Sequence, residues 1–185
     1  MRGAPGFKTW PDPVDGRWKW ELLRWIGKET GITTLFETGT CEGVTPYELR
    51  NDFNPIYTIE LHPGLYEVAR QRLSPFPWIH RYFGSSKSQL RAILERDVRP
   101  GPVLFWLDAH GSGPHTADDG DPLPDELDAI FSLRPDALVV IDDMRGHSEF
   151  MNSYGQHVDG LSVEYRTGEI ILHRIGAYEI PKFEE

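Results

Sequence analysis

An open α/β fold, with helices packed on both faces of a mostly parallel sheet, follows from three features of the chain. Five short apolar or β-branched runs stand at TLFET (34–38), IYTIE (56–60), WIHRY (78–82), VLFWLD (103–108) and ALVVID (137–142). The segments between them carry apolar residues at helical spacing, and strands that alternate with helices form parallel sheets with right-handed crossovers. The last two runs, LSVEY (161–165) and EIILH (169–173), are separated only by Arg166, Thr167 and Gly168. That gap is too short for a crossover and suits a hairpin. Five parallel strands closed by an antiparallel pair make a seven-stranded sheet.

Residues 1–16 are rich in Pro and Gly and have no periodicity, so they are expected to form an irregular arm, with a single domain over 17–185. From Trp18 the residues Trp18, Leu22, Trp25 and Ile26 fall at i, i+4, i+7 and i+8 on one helical face, with Trp20 off it, and the Thr30-Gly31 pair ends the helix. The later connections repeat the helical signal. They show it at Tyr47 and Leu49, then at Leu65, Val68, Ala69 and Leu73, then at Leu90, Ile93 and Leu94, and last at Leu123, Leu127, Ile130 and Phe131. The loop AHGSGPHTADDGDPLP (109–124) is the one long polar insertion, and long loops after strands often carry function.

The bulk numbers exclude several classes of partner. The chain has 185 residues, enough for one ordinary core, and 19 Lys plus Arg against 29 Asp plus Glu give a formal charge of −10. Such a balance argues against a surface built for nucleic-acid phosphates or anionic lipid. No apolar run at the start resembles a signal-peptide core and none is long enough to span a bilayer, so a cytoplasmic protein is expected. The single cysteine, Cys41, forms no internal disulfide, and no Cys/His pattern has zinc spacing.

Open parallel sheets bind ligands at the carboxyl ends of their strands. The first strand runs into FETGTCEGVTPYEL, where Gly39 and Gly43 lie in a turn that leads to a helix, so that backbone can approach a ligand closely. The spacing is not G-x-G-x-x-G, because Cys41 stands where a second glycine belongs. The second strand ends in Glu60, about twenty residues on, where a carboxylate accepts hydrogen bonds from ribose hydroxyls. Its alternative role is a solvated strand-end acid. The third strand leads to Gly84, Ser85 and Ser86 and then a helix, for which a serine is a good N-cap.

Together these residues resemble the class I S-adenosylmethionine-dependent methyltransferases. The resemblance rests on Glu37, Thr38, Gly39, Thr40 and Gly43 of the E-T-G-T-x-x-G loop, on Glu60, on the G-S-S turn at 84–86 and on the terminal hairpin, and covers roughly residues 30–175. It implies a Rossmann-like fold in which the loop meets the methionine portion of the cofactor, Glu60 holds the ribose, and residues near Ser85 and Ser86 border the adenine. The chain departs from the family at Cys41 and at Ser85, where an Asp is common.

With the strand order 3-2-1-4-5 expected here, the fourth and fifth strands are neighbours about 4.8 Å apart, and Asp108 and Asp142 emerge side by side with Asp143 next in line. Clustered carboxylates call for a cation or a shared proton, and an all-oxygen set suits Mg²⁺ or another hard divalent ion. The LDAH and IDD pair also resembles the macrocin O-methyltransferase type, which implies magnesium at these aspartates and a sugar hydroxyl as acceptor. A metal would lower the pKa of that hydroxyl and align it with the sulfonium methyl. Asp108 and His110 are alternative bases for its proton.

Other residues have a plainer reading. His115, Asp118, Asp119 and Asp121 are expected on a solvated lid rim, with Gly111, Gly113 and Gly120 giving the loop freedom to move. Glu126 is expected to complement the dipole of its helix, Arg145 to form a surface ion pair, and Trp10, Trp18 and Trp20 to be partly buried core. The acceptor is expected to be a small molecule, with a homo-oligomeric partner or a large substrate completing the pocket. Two competing classes remain, a nucleotide-binding module without methyl transfer and an NAD-dependent oxidoreductase, which Cys41 and the hairpin disfavour.

Overall fold

The computed structural model describes residues 17–109, 120–142, 161–166 and 169–174. Helix α1 (Arg17–Thr30) precedes β1 (Thr34–Thr38), α2 (Val44–Glu48), β2 (Ile56–Glu60), α3 (Pro63–Arg72), β3 (Ile79–Phe83), α4 (Ser86–Arg96), β4 (Val103–Leu107), α5 (Leu123–Leu133) and β5 (Leu138–Ile141). Strands β6 (Leu161–Arg166) and β7 (Glu169–Arg174) follow. The sheet order is β3-β2-β1-β4-β5-β7-β6. Strands β1 to β5 pair in parallel, as the alternation of runs predicts, and β7 pairs antiparallel with both β5 and β6.

The parallel strands inside the sheet, β2, β1, β4 and β5, are mostly apolar on both sides because helices cover both, whereas the edge strand β3 is partly exposed. Phe36, Tyr57, Ile59, Phe105, Leu107, Val139 and Ile141 face α4 and α5, which answer with Leu90, Ile93, Leu94, Leu127 and Ile130. Leu35, Ile56, Leu104, Trp106, Leu138 and Val140 face the other way, against Trp18, Leu22, Leu23 and Ile26 of α1 and Ala69 and Leu73. Period-2 alternation therefore sorts the strand ends. Glu37, Thr58, Glu60, Asp108 and Asp142 continue the α1 side, whereas Thr38 continues the α4/α5 side.

Helix α1 corrects one expectation. Leu23 is buried on its inner face, while Trp25 is only partly buried. The buried set Trp18, Leu22, Leu23 and Ile26 thus centres the stripe slightly away from Trp25. Among the described residues no helix is long and apolar enough to cross a membrane.

Candidate functional site

The sheet reverses its order between β1, from which β2 and β3 extend one way, and β4, from which β5 extends the other. At that point the chain leaves β1 through Gly39 (φ 84), Cys41 (φ 51) and Gly43 (φ 75), three residues in the left-handed region within one turn. Gly39 is needed twice over. Its φ favours glycine, and a Cβ there would stand 2.4 Å from the Asp108 carbonyl oxygen. Cys41 sits where the dinucleotide fingerprint has glycine, and its backbone adopts the conformation glycine would take. The Cys41 thiol is exposed. Partial desolvation raises its pKa, a bond from the Glu42 backbone pulls it partly back, and the charges of Glu60, Glu42 and Asp108 push it up again, so it is poorly suited to act as a thiolate.

The loop is tied to β2. Gly39 N–H and Thr40 N–H donate to the Ile59 carbonyl at 3.0 and 3.2 Å. The Glu60 carboxylate accepts the Cys41 N–H at 2.7 Å on one oxygen and the His62 N–H at 2.7 Å on the other. It is a buried residue, not a solvated strand-end acid. Each of its oxygens has lone-pair capacity beyond one bond. The Gly84 N–H donates to the Glu60 carbonyl at 2.9 Å, which brings the turn before α4 to the same rim.

Beneath the loop lies a buried polar chain. Thr40 and Thr58 share a hydroxyl hydrogen bond, and the Thr58 hydroxyl donates to Glu37 Oε2 at 2.6 Å. Burial holds the Glu37 carboxyl well above the usual range, the Thr58 bond pulls it partly back, and the charge of Asp108 pushes it up again. Asp108, half-buried, follows β4, whose end is joined to β1 by Asp108 N–H donating to the Thr38 carbonyl at 3.0 Å.

The opposite side of the sheet holds Glu126, which lies in the first turn of α5 as expected but in surroundings that the sequence does not anticipate. Glu126 does not merely complement a helix dipole; it is 0% exposed in α5. Neither of its oxygens has a hydrogen bond of ordinary geometry, and neither does Thr38 Oγ1. Burial pushes its pKa up to about 7, against the nearby Ser86 and Thr38 hydroxyls, with Asp121 and Asp125 adding to the rise. Its position was legible: Leu123, Leu127, Ile130 and Phe131 leave the i+3 place of the apolar stripe to Glu126. Ser85 occupies the N-cap position of α4 without a capping bond from its hydroxyl, and Ser86 is buried. Asp121 is a local cap, accepting the Leu123 N–H at 3.0 Å.

Asp142 directly follows β5 and is fully buried, as the neighbour of the β4 tip, with its N–H donating to the Leu107 carbonyl at 3.0 Å. Its carboxylate accepts a bond from Lys19 Nζ of α1. Lys19 had a signal of its own, because Lys19, Leu22, Leu23 and Ile26 fall at i, i+3, i+4 and i+7. Among the described residues no group of three or more His, Cys, Asp or Glu side chains is arranged to hold a metal. Asp143, His110, Gly111, Gly113, His115, Asp118, Asp119, Arg145 and Trp10 lie outside the described residues.

No protein-family model and no curated protein sequence matches the chain. Solved structures do. An O-methyltransferase from Bacillus cereus in complex with SAH aligns at a TM-score of 0.68 and 15% identity, over 89% of this chain and 82% of that one. The O-methyltransferase TomG from Streptomyces achromogenes, involved in tomaymycin synthesis and solved with SAM, aligns at 0.64 and 19% identity over 85% and 80%. An rRNA methylase from Streptococcus thermophilus aligns at 0.57 and 11% identity over 90% and 99%. At these identities the likeness establishes the fold, a Rossmann-like α/β methyltransferase fold.

Proposed function

We propose that the chain is an S-adenosylmethionine-dependent O-methyltransferase that acts on a hydroxyl of a small molecule, a sugar or small natural product. The observation that carries this reading is the Glu60 carboxylate, fixed at the tip of β2 by the Cys41 and His62 N–H groups beside a turn with three left-handed residues. A rigid acid at that place suits a pair of ribose hydroxyls, which donate where Glu60 still accepts. The close approach of Gly39 to the Asp108 backbone ties this turn to the exit of β4, where Asp108 stands. Similarity to O-methyltransferases solved with SAM or SAH supports the same choice.

The cofactor, when bound, supplies a methyl group on a sulfonium sulfur. Glu37, Thr38, Gly39, Thr40 and Gly43 would border its methionine portion, Glu60 its ribose, and Gly84, Ser85 and Ser86 its adenine. Asp108 Oδ would take the proton of the acceptor hydroxyl, with His110 as the second candidate from the sequence. Holding acceptor and methyl in line at the switch point is the largest service such a site offers. The divalent ion expected at Asp108, Asp142 and Asp143 is not part of this proposal, because Asp142 is already engaged by the Lys19 ammonium.

Incubation with methyl-labelled S-adenosylmethionine and a panel of sugar and small-molecule alcohols tests the reading. Label in an ether product supports it. Cofactor binding with no transfer to any acceptor points instead to a binding module, and preferential binding of NAD to an oxidoreductase.

A further inference from the structure

The pair at the end of β5 has a specific build. Asp142 is contributed by the strand tip and Lys19 by the first turn of α1, 123 residues away in the chain. The carboxylate is 0% exposed, whereas the Lys19 side chain is 28% exposed. The Lys19 ammonium also stands 5.8 Å from the centroid of the Trp106 ring, on the adjoining strand β4. One cation is therefore anchored from beneath by a carboxylate, flanked by an aromatic face, and reachable from outside. It lies where β4 and β5 end side by side, next to the Asp108 position.

A divalent ion does not fit the described residues at this place. Mg²⁺ demands near-octahedral oxygen coordination and sheds its waters reluctantly. To use Asp142 it would have to displace an ammonium that already pairs with that carboxylate. An ammonium carries three N–H donors, so a bond to Asp142 is compatible with one to a ligand oxygen.

We infer that Lys19 is the cation of the acceptor end, a tethered ammonium that Asp142 positions to hydrogen-bond the reacting oxygen of the acceptor, so that methyl transfer needs no bound divalent ion. The inference rests on the methyl-transfer reading above. In the step, the acceptor O–H proton passes to Asp108, the oxygen lone pair forms the new O–CH₃ bond, and the S–CH₃ bond breaks with its electrons returning to sulfur. Lys19 stays protonated throughout. Its charge stabilises the negative charge that develops on oxygen as the proton leaves, the service a fixed donor gives in an oxyanion site. Asp142 is a positioning residue, since it acts through Lys19.

The test uses the full chain as wild type, Lys19→Met and Lys19→Arg. S-adenosylhomocysteine, MgCl₂ and MnCl₂ are titrated calorimetrically, and turnover is measured with and without EDTA. Wild type is expected to bind S-adenosylhomocysteine, to give no saturable heat with either metal, and to turn over equally in EDTA. Lys19→Met is expected to keep its S-adenosylhomocysteine affinity, which also shows that it is folded, and to lose roughly a hundredfold in kcat/KM, with Lys19→Arg recovering part of it. Saturable metal binding by wild type, loss of turnover in EDTA, or wild-type kcat/KM in Lys19→Met overturns the inference while leaving methyl transfer standing. Failure of wild type to bind S-adenosylhomocysteine overturns the functional reading and this inference with it.

Discussion

Gly39 meets the backbone of Asp108 so closely that a Cβ on Gly39 would stand 2.4 Å from the Asp108 carbonyl oxygen. The contact joins the exit of β1 to the exit of β4 at the point where the sheet changes direction. Gly39→Ala must therefore either push the two strand exits apart or shift the loop, and its φ of 84 disfavours any side chain. The variant is expected to lose about 1–3 kcal/mol of stability in urea unfolding and most of its S-adenosylhomocysteine affinity. Wild-type affinity would show that the turn does not shape the cofactor site.

Glu60 is the next residue to test. Its carboxylate holds two backbone N–H groups and is proposed to hold the ribose, so Glu60→Ala removes the brace and, on that proposal, the acceptor. Cofactor binding is expected to weaken by about 1.5–3 kcal/mol, as for hydrogen bonds to a charged group, when read by calorimetry. No change in affinity would reduce Glu60 to a brace for the loop.

Glu126 makes stability depend on pH. Its pKa of about 7 in the folded chain lies above the ordinary 4.5. Below the ordinary value both folded and unfolded chains keep the proton, and the contribution of the group is whole. As pH rises, the unfolded chain loses its proton first and folding weakens, until the loss is complete above the folded pKa at about 3 kcal/mol. Glu126→Gln is expected to flatten the stability profile between about pH 5 and about pH 8 and to be the more stable protein at the upper end. A profile identical to wild type would show that the carboxyl does not hold its proton in the folded chain.

Cys41 stands in the left-handed region without being glycine. Cys41→Gly relieves that strain while adding freedom to the unfolded chain, so the two effects largely offset. The variant is expected to be neutral or up to about 1 kcal/mol more stable by thermal unfolding, with the Glu60 bond to its N–H retained. A large destabilisation would mean that the Cys41 side chain itself holds the loop.

The strand plan was legible because buried parallel strands are short apolar runs bounded by polar turns. TLFET and IYTIE coincide with β1 and β2, while WIHRY is one residue early against β3. The run-and-turn pattern also led to Gly39 and Glu60, since both stand at strand ends and strand ends are where such sheets bind ligands. Lys19 and Glu126 were harder to see because charged residues are ordinarily assigned to the solvent face. Each nevertheless falls on the apolar stripe of its helix, and a charge on a stripe signals a buried partner or a buried proton. The pairing of Lys19 with Asp142 spans most of the chain, so only the packing of α1 across β4 and β5 brings it about.

The most direct test of the central claim, that the switch point holds S-adenosylmethionine, is parallel calorimetric titration of the chain and of Glu60→Ala with S-adenosylhomocysteine and with NAD. Saturable one-to-one binding of S-adenosylhomocysteine, weakened in the variant and absent for NAD, is the predicted result. Tighter binding of NAD, or S-adenosylhomocysteine affinity indifferent to Glu60, would contradict it.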